Sequence, residues 1–179
     1  MLKVSRPLDT DGDPGPPLAA IEALYLEQLL GLVAESTVID RAQQMLADGF
    51  DGAALSDVCE LAALPAGSPR HVEQVGWLLE RAVLTAAPDF DATSPACEAH
   101  ARLKLRELCE LGVRERCRPH DIRAAVQMME VHFDYPAWLG DLWSQTDWIE
   151  PSTRWIDVPH LLEHLPVFLA EARAADSSG

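Results

Sequence analysis

Apolar residues in this chain recur every three to four positions, and in only two short places every two, which constrains the fold more than any other feature. In LAAIEALYLEQLLGL, Leu18, Ile21, Leu24, Tyr25, Leu29 and Leu32 fall on one broad stripe of a helix. STVIDRAQQMLADG presents Val38, Ala42, Met45 and Leu46 in the same way, with Ser36 and Thr37 as candidate caps and a stop near Gly49. A third, shorter helix is expected over AALSDVCELAAL, ending at Pro65. Ser68–Pro69 and Ser94–Pro95 each read as a cap followed by a first-turn proline, opening helices over HVEQVGWLLERAVLTAA and ACEAHARLKLRELCEL.

The two places of period two are ARLKLREL and EVHFDY. The first sits behind a helix start and offers Leu105, Leu108 and Leu111 at helical spacing, so it is read as helix. Arg118–Pro119 opens another helix to about Glu130, and EVHFDY before Pro136 is read as a short extended connector. Leu and Ala dominate the apolar set and β-branched residues are few, which favours helix over sheet. No pair of strand patterns carries a hairpin signal. The expectation is an all-α, single-domain bundle of seven or eight helices spanning 17–174. It is flanked by a disordered acidic tail at 1–16, rich in Asp, Gly and Pro, and a disordered end at 175–179. Asp9, Asp11 and Asp13 alternate as calcium ligands do, but Pro14 and Ala20 stand where such a loop needs glycine and glutamate.

Charge narrows the function. The net charge is −15, from 29 acidic and 14 basic side chains, which argues against a nucleic-acid coat or an anionic-lipid binder and would steer a basic protein towards the chain. Residues 89–132 are nearly neutral, with 7 basic against 8 acidic groups, and their arginines are expected to pair with Glu107, Glu110 and Glu115. No apolar h-region and no membrane-length apolar run are seen, and Cys59, Cys97, Cys109 and Cys117 match no zinc spacing. Reduced, mostly buried thiols in a cytoplasmic protein are expected.

The segment FDYPAWLGDLWSQTDWIEPSTRW, residues 133–155, holds four of the five tryptophans. With Pro136 as first helical residue, Trp138, Leu139, Leu142 and Trp143 would share a core-facing side, with Gly140, Asp141, Ser144, Gln145 and Asp147 behind them. Trp148 and Trp155 flank the turn-rich IEPSTR and are candidates for exposure. Exposed aromatics among carboxylates suit a protein interface. The candidate partner-binding set is therefore Asp134, Tyr135, Asp141, Asp147, Trp148, Glu150 and Trp155.

Three constellations carry possible metal chemistry. HLLEH places His160, Glu163 and His164 in the pattern of an inverted zinc peptidase, but only 15 residues follow and Pro166 would disturb or restart the helix. Glu130, His132 and Asp134 would share one face of an extended segment, and Cys97 with His100 offers two ligands on one helix. No cofactor and no resident metal are expected. A metal-dependent hydrolase and a non-catalytic scaffold subunit are the alternatives to a binding protein.

LYLEQLLGLV, DRAQQML, ALSDVCELAAL, RELCELG and FDYPAWLGDLWSQTDWIEP together resemble small helical bacterial proteins, some of them found beside polymorphic toxins and regarded as immunity proteins. The likeness covers about residues 20–155. It implies a helical fold and a toxin as the protein partner, and it transfers no binding residue.

Overall fold

The computed structural model describes residues 17–65 and 71–176. The expectations for 1–16, for the Ser68–Pro69 start and for 177–179 lie outside these residues. The described residues form eight α-helices: α1 Ala20–Leu29, α2 Glu35–Ala47, α3 Leu55–Ala62, α4 His71–Ala86, α5 Pro95–Val113, α6 Pro119–His132, α7 Leu142–Thr146 and α8 Pro159–Asp176. Two 3₁₀ turns, Ala137–Leu139 and Trp155–Asp157, complete them, and no strand occurs among the described residues. The chain is all-α.

Local chemistry explains most boundaries. Ser94 Oγ accepts from the Cys97 backbone N–H at the start of α5, with Pro95 in the first turn. At the start of α6, Asp121 accepts from the Arg118 backbone N–H at 2.9 Å and from its guanidinium at 2.7 Å. α1 and α2 end on Gly31 and Gly49 at φ +68° and +87°. Leu32 N–H donates back to Glu27 O, and Phe50 N–H to Met45 O, closing both ends as glycine-terminated caps do. α2 differs in its start: it opens at Glu35 behind Ala34, with no side-chain cap, one residue before the expected Ser36.

Two clusters of buried side chains make up the core. Ile21 and Leu24 of α1 pack with α2, α3 and α4, whereas Leu26 and Leu30 pack with α5, α6, α7 and α8. α1 therefore lies between both halves, and Phe90, in the α4–α5 loop, touches each cluster. ARLKLREL is helical, and burial explains its look of a strand. Ala101, Leu105, Cys109 and Gly112 form the buried stripe at helical spacing, while Leu103 and Leu111 stand in water.

Three expectations fail in the second half. EVHFDY is not extended, because α6 runs on through His132 and Phe133 N–H still donates to Met129 O. Val131 is 70% exposed, so the apolar alternation came from a surface residue and not from a buried face. Glu130, His132 and Asp134 consequently share no face. Pro136 does not open a regular helix; a 3₁₀ turn follows it, and Gly140 at φ +53°, ψ −133° redirects the chain before α7. That break separates the four residues expected on one side: Leu139 and Leu142 are buried, Trp138 is half-buried and Trp143 is exposed. Finally, Pro166 neither breaks nor restarts the helix, and α8 runs through it as far as Asp176. Pro166 lies on the exposed side, where the Leu162 carbonyl left without its N–H donor is close to water.

Gly112 marks the tightest approach. A Cβ there would sit 2.7 Å from Ile122 Cδ1, 3.0 Å from Leu165 Cδ1 and 3.2 Å from Trp155 Cη2, so α6, α8 and the second 3₁₀ turn all close on it. Gly112→Ala is therefore expected to destabilise the fold by about 1–3 kcal/mol through overpacking, despite the better helix propensity of alanine. Urea unfolding of the two proteins tests this; an unchanged or higher midpoint would refute the close packing.

Candidate functional site

The segment from the end of α6 to α7 builds an aromatic surface by way of unusual backbone. Asp134 and Tyr135 adopt left-handed φ values of +55° and +58° without being glycine. Tyr135 N–H donates to Glu130 O at 2.7 Å, which ends α6 and sets the ring outward, 70% exposed. Left-handed backbone costs a tyrosine on the order of 1 kcal/mol. Across a groove of about 390 Å³ from Tyr135 stands Trp143, 46% exposed, and Glu130, Pro136, Leu139 and Gly140 complete the lining.

Carboxylates surround this groove in the chain. Asp134, Asp141, Asp147 and Glu150 are all exposed, as expected. The Asp147 carbonyl accepts from Arg123 Nε, which ties the end of α7 to α6. Trp148 is 48% exposed and stacks on His160 of α8, ring centroids 5.0 Å apart.

Trp155 corrects the expected site. It is buried at 8% exposure, and its indole N–H donates to Cys117 O at 2.6 Å. Its ring fills the space that Gly112 leaves open, so it is a core residue and no anchor. The roles of Trp143 and Trp155 are exchanged relative to the sequence pattern, because helical phase across Gly140 does not hold and the turn after Pro151 points its tryptophan inward.

The metal-like constellations are dispersed. In HLLEH, His160 lies under Trp148, His164 lines a separate cleft and Glu163 is exposed. His132 Nε2 lies 2.9 Å from Ala92 O. Cys97 and His100 face different partners, Asp91 O and Glu27. Among the described residues, no three His, Cys, Asp or Glu side chains are grouped to hold a metal. Burial pushes the Cys97 and Cys109 thiols up, and takes Cys117 up to about 11, which keeps all three protonated and poor nucleophiles.

The sequence pattern overlooked Glu27. It is buried on α1, and it gathers Arg41 Nη1 at 2.6 Å from α2, His100 Nε2 at 2.9 Å and Lys104 Nζ at 3.9 Å from α5. Burial alone would raise its carboxyl. Hydrogen bonds from His100 and Arg41, with the charges of Arg41 and Lys104, outweigh that and hold it below the ordinary 4.5. The group is enclosed, fully partnered and outside both clefts, so its role is to fasten three helices. A glutamate inside a helix apolar on nearly all sides was the available signal.

No known protein family, no curated protein and no solved structure matches this chain.

Glu27→Gln is expected to lower stability at neutral pH by about 1–3 kcal/mol, since a charge-assisted acceptor is lost from a buried position. A depressed carboxyl contributes stability above its unfolded value and loses it as pH falls through the folded value. The difference between wild type and variant should therefore shrink as pH drops below 4.5. Urea titrations between neutral and acid pH measure it, and a difference that persists undiminished in acid would contradict the ionised clamp.

Proposed function

We propose that the chain is a non-enzymatic protein-binding protein whose docking surface is the groove between Tyr135 and Trp143. The observation that carries this reading is the outward aromatic pair: a strained backbone holds one large ring in water opposite another, over an apolar groove. Rigid aromatic side chains beside a groove bury much area on docking and lose little conformational entropy. Trp148 extends the aromatic set, and its stack on His160 holds it in a fixed orientation.

The carboxylates supply the sign of the partner. Asp134, Asp141, Asp147 and Glu150 are exposed in the same segment as the rings, in a chain of net charge −15, so a basic protein is attracted and oriented before contact. The resemblance to small helical bacterial proteins, some of them regarded as immunity proteins, favours a toxin as that partner, neutralised by occlusion. No cofactor enters this reading, and a nucleic-acid or anionic-membrane partner is disfavoured by the same charge.

A photo-crosslinking residue placed at position 143 in the native host tests the surface, with position 77 on α4 as an exposed control. One basic protein should crosslink at 143, absent at 77 and weakened by salt. Against that purified partner, Trp143→Ala and Tyr135→Ala should each weaken binding about tenfold or more with the melting temperature unchanged. Asp141→Lys should chiefly slow association. Equal crosslinking at both positions, or full affinity in both alanine variants, would reject the groove as the docking surface.

A further inference from the structure

A second cleft, about 420 Å³ in volume, opens between α5, α8 and the residues after α6. Ala137 and Gly140 line both this cleft and the aromatic groove, yet the chemistry differs. Arg102 and Arg106 of α5, Trp138, and His164, Val167 and Phe168 of α8 form its walls, with Asp141 and Glu171 also present.

Arg102 is the informative residue. Glu98 precedes it by one helical turn, the spacing at which a glutamate and an arginine pair on a helix. Glu98 Oε1 instead accepts the indole N–H of Trp138. The Arg102 guanidinium lies 5.7 Å from the centroid of that same indole, and among the described residues no carboxylate is within ion-pair distance of it. An acidic chain thus keeps this half-buried cation without a described acid, over an aromatic wall of a cleft. The indole has drawn off the acid that would otherwise have quenched it.

We propose that this cleft binds a small organic monocarboxylate with an apolar body. The carboxylate takes the paired N–H groups of Arg102, a geometry that a planar guanidinium matches with two parallel hydrogen bonds. His164 offers a further ring nitrogen on the opposite wall. The body of the ligand lies against Trp138, Val167 and Phe168. The volume falls in the range of small-molecule sites and exceeds what an inorganic anion fills. Asp141 and Glu171 set the charge limit: a phosphate dianion brings twice the charge of a monocarboxylate up to two carboxylates of like sign, and so loses more. The cleft shares Ala137 and Gly140 with the docking groove and Asp141 with its carboxylates, yet neither reading requires the other.

Isothermal titration of the full chain with 3-phenylpropionate, inorganic phosphate and 3-phenylpropanol tests the assignment. The carboxylate should bind with a dissociation constant below about 1 mM, and the alcohol and phosphate at least about tenfold more weakly. Arg102→Gln should weaken the carboxylate about tenfold to a hundredfold with the melting temperature lowered by only a few degrees at most, since the half-exposed guanidinium gives the fold no more than its contact over Trp138. Val167→Asp, at a half-exposed position on the α8 wall, should abolish binding by placing a like charge in the cleft. Absence of carboxylate binding, phosphate binding as tight as the carboxylate, or full affinity in Arg102→Gln would each overturn the proposal.

Discussion

One buried carboxylate determines how the two halves of this molecule meet. Glu27 takes Arg41 from α2 and His100 and Lys104 from α5, so the helix that carries it cannot slide or rotate without breaking charged contacts on both sides. Such a cluster is weak evidence for stability, because desolvating the carboxylate consumes much of what its partners return. It is better evidence for register. Four apolar side chains of the α1 region do the packing, Ile21 and Leu24 into one cluster and Leu26 and Leu30 into the other. Glu27 sets which face turns to which half.

From there the order passes to α5. One face of it meets Glu27, a second holds Glu98 against the Trp138 indole, and its last turn presents Gly112 to Trp155. Both tryptophans belong to the segment that follows α6, so α5 positions the beginning and the end of that segment. Between those two fixed points lie Tyr135, Trp143 and Trp148, whose rings are left in water. The groove and the cleft on either side of Ala137 and Gly140 are products of this arrangement. A fixed frame on α5 allows irregular backbone between 134 and 140 to hold one conformation.

Much of this was legible in the sequence, and the part that was not has physical causes. Helix starts at Ser94–Pro95 and Arg118–Pro119 are written in cap chemistry, which acts over three or four residues and survives without tertiary context. Apolar spacing likewise gave the all-α class. The tryptophans were misassigned because helical phase was carried across Gly140, whose φ and ψ belong to no helix. Trp155 sits in a short 3₁₀ turn after Pro151, where no period predicts direction and only the hole beside Gly112 decides it. Of the expected partner-binding residues, Asp134, Tyr135, Asp141, Asp147, Trp148 and Glu150 do stand exposed. Trp143 was overlooked among them, since an indole flanked by leucines reads as core. Glu27 could be marked as an oddity in an apolar helix, but its role could not be read, because its three partners come from 14 to 77 residues further along the chain, two of them on α5.

Native-state hydrogen exchange on the intact chain tests the central dependence most directly. If α1 couples the two core clusters through Glu27, the amides of α1, α3, α4 and α5 exchange through one common opening with the same free energy. Addition of denaturant then lowers all of them together. A separate, lower-energy opening of α2, α3 and α4 that leaves α1 and α5 protected would show that the halves are independent, and would contradict the account.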